Sequence, residues 1–165
     1  MFWITKESLP FFNRFKFKKL HSMEGRDGVA YSCELFFDNT KIANVENSGR
    51  GGMTMIDYTD GGKDFIKSLD VKQYYNKDEV TFRVNTEYII SDLVEVKIYL
   101  QNLLKNQSRG IYFLDKDDKI MQVTYRYTLQ KIKDAGKLNL IKKKVDGIIA
   151  DGGVILNTNL ERLGL

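Results

Sequence analysis

Apolar and polar positions change period several times along this chain, and each change marks an element. From residue 14 the period is two. Phe15, Phe17 and Leu20 lie near one face with Lys16, Lys18 and Lys19 between them, which predicts a strand. Gly25-Arg26-Asp27-Gly28 reads as a turn. Residues 29–37 are rich in β-branched, aromatic and apolar side chains and predict a second strand. Asp38-Asn39-Thr40 makes a tight connection into a third, residues 41–46. A glycine-rich hexapeptide follows, and then Met53-Thr54-Met55-Ile56-Asp57-Tyr58 as a fourth strand.

Helical spacing begins after Gly61-Gly62, with Phe65, Ile66 and Leu69 on one face. Residues 78–85 alternate again, with Val80, Phe82 and Val84 on one side, as a strand or an extended link. The strongest helix comes next. Ile89, Leu93, Val96, Leu100 and Leu103 form one stripe, widened by Leu104. The stripe is too short for a long coiled coil and is expected to lie on the sheet. Residues 110–114 and 119–126 predict a hairpin around Asp115-Lys116-Asp117-Asp118. Residues 128–145 return to helix with Leu129, Ile132, Ile141 and Val145 inside; Gly136 weakens or splits it, at about 1 kcal/mol relative to alanine. Residues 147–150 and 154–157 flank Asp151-Gly152-Gly153 as a final hairpin, and the last eight residues are expected to fray. Strands in a meander before and around the helices predict an α+β fold: an antiparallel sheet packed against two or three amphipathic helices. The 165 residues favour a single domain, with a β-rich module over residues 14–60 and an α+β part over residues 61–165.

Composition narrows the classes. One cysteine, Cys33, rules out an internal disulfide and fits a reducing compartment. No run of about 18 apolar residues is present, so no membrane span is expected. The opening residues lack the basic and long apolar stretches of a secretory signal, and a soluble protein of the (host) cytoplasm is the expectation. The net charge is +4, unevenly placed. Residues 128–145 hold six lysines and one aspartate, residues 14–19 hold Arg14 and three lysines, and the remainder is net acidic. A solvated lysine face and a docking surface for nucleic acid or another polyanion both fit such stretches. Lys131, Lys142, Lys143 and Lys144 are the candidates for the second reading.

The hexapeptide Asn47-Ser48-Gly49-Arg50-Gly51-Gly52 carries the sharpest chemistry. Successive glycines let the backbone reach positive φ and bring several N–H groups to one point, and Arg50 would add a charge-assisted contact to an anion. Neither a Walker A loop nor a dinucleotide fingerprint is present. A wide turn or bulge between two strands is the plainer reading, with Asn47 closing the turn through its side chain. Residues 29–52, Tyr31-Ser32-Cys33-Glu34-Leu35-Phe36-Phe37-Asp38 and then Lys41 to Gly52, resemble a module of small uncharacterised phage, plasmid and other mobile-element proteins. That module reads strand, "D-G-K" hairpin, strand, "N-D-G-H-G-G", within a looser "N-x-G-x-G-G" pattern. Here Asn39-Thr40 replaces the hairpin glycine, and Ser48 and Arg50 replace the usual Asp and His. The resemblance implies a mobile-element origin and, with it, evasion of host defence.

Metal and acid–base chemistry find thin support. His21 is the single histidine, and no His/Cys cluster exists. Asp115, Asp117 and Asp118 lack the glycine and distant glutamate of a calcium loop. Asp92 with Glu95-Val96-Lys97 resembles the acidic-lysine set of metal-dependent nucleases, but falls on the best helix, where Glu95 and Lys97 point to different sides. The preferred expectation is therefore a non-enzymatic counter-defence accessory protein with no metal and no cofactor. It would sequester a phosphate-bearing small molecule, such as a nucleotide-derived immune signal, at Asn47, Ser48, Gly49, Arg50, Gly51 and Gly52, with Tyr58 as a weaker contributor. Docking onto a host defence protein, nucleic-acid binding, assembly into a homo-oligomer and, last, nuclease activity stay open.

Overall fold

The computed structural model describes residues 4–71 and 85–165. Of the alternating stretch 78–85, all but Asn85 lies outside them. The architecture is α+β: a four-strand antiparallel meander, a three-strand sheet and three main helices among the described residues. The chain divides into two compact units, Met1–Tyr99 and Leu100–Leu165.

The first unit holds α1 (Ser8–Phe12), β1 (Phe15–Glu24), β2 (Val29–Phe37), β3 (Thr40–Asn47), β4 (Met55–Tyr58), α2 (Gly62–Ser68) and most of α3 (Thr86–Leu103). Its sheet runs in the order β1-β2-β3-β4. Strand β2 shows why the alternation predicted it. Tyr31, Cys33, Leu35 and Phe37 are buried on one face, while Ser32, Glu34 and Phe36 are half-buried on the other. Two bulges bend the meander. Lys19, at φ 51°, shifts the β1–β2 register between Lys18 and His21. Ile42 is the extra residue of β3 where the register steps from Leu35↔Ala43 to Phe36↔Lys41, so Ile42 and Ala43 are both buried in succession.

At one end of the sheet Phe37 gathers Phe11, Phe15 and Phe65, with ring centroids 6.1, 5.0 and 5.1 Å away. The Arg14 guanidinium lies 4.2 Å from the Phe37 centroid and pairs with Asp38 at 2.9 Å, latching the β2–β3 turn. Strand β4 is shorter than residues 53–58, because Met53 and Thr54 belong to the loop before it.

The second unit holds the 3-10 turn Leu104–Arg109, β5 (Gly110–Leu114), β6 (Ile120–Thr124), α4 (Leu129–Asp134), α5 (Leu138–Ala150), β7 (Val154–Ile155) and the 3-10 turn Glu161–Leu163. Its sheet order is β6-β5-β7. Gly136 does split the expected 128–145 helix. The Thr128 side chain caps α4 by accepting from the Lys131 N–H. Gly136, at φ 71°, ends it, with Gly136 N–H donating to Lys133 O and Lys137 N–H to Ile132 O. This is a Schellman stop.

Two expectations fail here. Residues 147–150 form the last turn of α5 rather than a hairpin strand, because Ile148 continues the buried stripe of Ile141 and Val145. Strand β7 pairs with β5 instead. The final residues do not fray either: Leu160 and Leu163 are buried in one cluster with Ile111, Leu129, Ile141, Val145 and Ile148. Among the described residues, no helix is long and apolar enough to cross a membrane.

Candidate functional site

Asn47 ends β3 and closes the loop that follows. Its Oδ1 accepts from the Gly49 N–H at 2.8 Å, and its Nδ2 donates to Thr54 Oγ1 at 3.0 Å. Gly49 is buried at φ 66°, and its carbonyl accepts from the Asp27 N–H at 2.9 Å. A Cβ on Gly49 would lie 2.7 Å from the Ala30 nitrogen, and one on Gly25 would lie 2.5 Å from the Gly49 oxygen. The base of the loop is thus pressed onto the β1–β2 turn, where only glycine fits. Its tip differs. Ser48, Arg50, Gly51 and Gly52 are exposed, and Gly51 takes φ 72° with only a loose neighbour, Asp27 Cβ, 3.7 Å from an added Cβ. Arg50, between the two left-handed glycines, has no positive φ and makes no ion pair with a described residue.

Behind the loop three hydroxyls meet. Tyr31 OH lies 3.0 Å from Thr54 Oγ1 and 2.9 Å from Ser91 Oγ, and the latter two are 3.1 Å apart. Ser91 also donates to Glu95 Oε1 at 3.4 Å. The network ties the loop, through Asn47 and Thr54, to strand β2 and helix α3. Burial pushes the Tyr31 phenol up, and the bonds from Ser91 and Thr54 oppose it. Burial, and then the neighbouring Asp92 carboxylate, raise the Glu95 carboxyl. Tyr31, Thr54 and Ser91 carry no local signal in the sequence, since they come from three separate elements.

A groove of about 280 Å³ opens beside the loop, walled in part by His21, Tyr31, Ser32, Glu46, Asn47 and Ser48. A broader hollow of about 610 Å³ shares His21, Ser32 and Glu46 and continues over the sheet to Lys19, Glu34 and Asp57. In it Glu34 is held by Lys41 at 3.0 Å and Lys19 at 3.1 Å, which keep its carboxyl below the usual range. Met23, Met53 and Met55 are exposed around this end of the sheet.

The remaining candidates are scattered. Tyr58 sits opposite Ala43, at the end of β4 away from the loop, and lines neither hollow. Its hydroxyl is enclosed without a complete hydrogen bond among the described residues; burial raises its pKa, against a weaker pull from Thr86. Lys131 on α4 and Lys142, Lys143 and Lys144 on α5 are exposed in the second unit. Three consecutive lysines step by about 100° each around a helix, so they fan outward rather than form one row.

Asp115 is a turn brace: its Oδ1 accepts from the Lys119 N–H at 3.0 Å and the Asp117 N–H at 2.8 Å, which lowers its pKa. Asp92 is buried on α3, Glu95 is exposed as a residue although its carboxyl is partly desolvated, and Lys97 is half-buried with its Nζ 6.0 Å from the Phe17 centroid. Among the described residues, no group of three or more His, Cys, Asp or Glu side chains could hold a metal ion. Burial pushes the Cys33 thiol to about 11, so it is an inert apolar filler at neutral pH. No family model matches the chain, and comparison with curated proteins and with solved structures gives no significant match.

Proposed function

We propose that the protein binds a phosphate-bearing small molecule at the 47–52 loop and does not convert it. The observation that carries this reading is the alternation along the loop: Gly49 in its base at positive φ, Arg50 not, and Gly51 in its tip at positive φ, with the Gly49 N–H held by Asn47 Oδ1 and the Arg50, Gly51 and Gly52 N–H groups left for a ligand. Alternating handedness turns successive backbone N–H groups toward one concave side, which suits an anion. Arg50 adds a cation that makes no ion pair with a described residue, and the clamped base removes much of the ordering cost. The adjoining groove, at about 280 Å³, lies near the small end of ligand sites and suits a nucleoside-sized body. His21, Ser32 and Glu46 offer it donors and acceptors. A nucleotide with its phosphate at the loop tip is the ligand class this supports. The module resemblance at residues 29–52 supports a mobile-element origin, and hence sequestration of a nucleotide-derived immune signal in the host cell.

Equilibrium dialysis against mono-, di- and cyclic nucleotides, with mass analysis of the recovered ligand, tests the reading. The wild-type chain should retain one class unchanged. Arg50→Ala should weaken retention by roughly ten- to a hundred-fold, the loss of hydrogen bonds to a charged group. Equal retention by Arg50→Ala would exclude the loop; no retention by the wild type would exclude the nucleotide; recovery of a product would exclude binding without turnover.

A further inference from the structure

Among the described residues, no strand pairs with the outer edge of β6. The other edges are protected. β1 carries Lys16, Lys18 and Lys19 and a bulge, β4 has Asp57 in four residues, and β7 is only two residues long. β6 reads Ile-Met-Gln-Val-Thr, without charge or proline, and pairs with β5 without a break from Gly110↔Thr124 to Leu114↔Ile120. The direction of its free groups follows from the bonds at its two ends. Asp115 N–H donates to Lys119 O at 2.9 Å, and Tyr125 N–H donates to Arg109 O at 2.8 Å. Residues 119 and 125 therefore face β5, and by alternation so do 121 and 123. Ile120, Gln122 and Thr124 turn their N–H and C=O groups to the open side.

We propose that this edge pairs with β6 of a second copy of the chain, antiparallel about Gln122, to double the three-strand sheet across a two-fold axis. The register is self-consistent. Gln122 meets Gln122 of the second copy, and Ile120 meets Thr124, so every outward-facing residue finds an outward-facing partner and exchanges both backbone bonds. Met121 then falls opposite Val123 of the second copy in the closer, non-bonded pair. Both lie on the face that Ile111 and Phe113 direct toward the unit's core, and Met121 is 45% exposed without such a partner. Beyond the strand, Arg126 falls beside Asp118 of the second copy and Lys119 beside Tyr125, so charges meet opposite charges or a ring.

Sedimentation equilibrium and concentration-dependent amide exchange on the full chain test this. At submillimolar concentration a dimer is expected, with the Ile120, Gln122 and Thr124 amides protected at least ten-fold more than on dilution. Gln122→Pro removes an outward N–H while leaving the ladder to β5 intact, so it should yield a folded monomer. A wild-type monomer throughout, a dimer whose 120, 122 and 124 amides stay unprotected, or a folded Gln122→Pro dimer would each overturn the proposal. If Gln122→Pro unfolds by circular dichroism, the wild-type amide pattern alone decides.

Discussion

Gly49 and Gly51 share a left-handed backbone but differ in what surrounds them. Any L-residue at φ 66° or 72° costs roughly 1 kcal/mol or somewhat more. At Gly49 a methyl group would also stand 2.7 Å from the Ala30 backbone nitrogen, and backbone yields little. Gly49→Ala should therefore destabilise the fold by about 2–4 kcal/mol, and Gly51→Ala by about 1 kcal/mol. Urea denaturation of the two variants separates these values; equal losses would mean that the loop base is not packed as described. Asn47→Ala should cost about 1–2 kcal/mol, because it leaves the Gly49 N–H without its acceptor, while the Thr54 hydroxyl keeps Tyr31 and Ser91. Glycine content announces both positions in the sequence. It does not separate the glycine that packs from the one that is open, since that difference rests on Ala30, nineteen positions away.

Elements with a single buried face were the legible ones. β2 alternates because one side meets the core and the other meets water, and its predicted bounds, residues 29–37, match those observed. The α3 stripe was legible too, but the helix also buries Ile90, Val94 and Ile98, which one amphipathic face does not foretell. Gly-Ile-Ile-Ala at 147–150 misled because a short β-branched run around a glycine has strand composition. Its helical state depends on Ile148 reaching the cluster of Ile111 and Leu163, a tertiary fact. Gly147 turns that point into a measurement. It lies inside α5 with open space where a Cβ would stand, so Gly147→Ala should raise stability by about 0.5–1 kcal/mol. A loss of stability in thermal or urea unfolding would contradict the helix. Conversely, Thr128→Ala removes the α4 cap and should cost about 1 kcal/mol by the same measurement. The hydroxyl trio of Tyr31, Thr54 and Ser91 had no element-level signal, because each member looks like ordinary strand, loop or helix surface in its own segment.

Stability against pH belongs to the whole molecule, because every group that titrates differently folded and unfolded contributes to it. Glu95 is raised by burial and by Asp92, so the folded chain holds its proton to higher pH than the unfolded one. That contribution is full below the ordinary carboxylate pKa and is lost as pH rises through the folded value. Glu95→Gln should therefore melt higher than wild type at neutral pH, with the gap closing in acid. Cys33 acts on the alkaline side. Its thiol ionises near 9.0 when unfolded and near 11 when buried between the strands. Between those values the unfolded chain has released a proton that the folded chain keeps, so stability falls as pH rises. The full loss approaches roughly 2.7 kcal/mol by the upper end of the window. Cys33→Ala has no such proton. It should begin less stable at pH 8 by roughly 1 kcal/mol, from lost apolar burial, and the two unfolding curves should converge and then cross toward pH 11. Tyr31, raised mainly by burial and least by Cys33, destabilises both proteins at high pH and largely cancels in their difference. Urea unfolding of the pair at half-unit steps from pH 8 to 11 isolates the contribution of Cys33; a constant difference across the range would show that the thiol is not buried as the sheet places it.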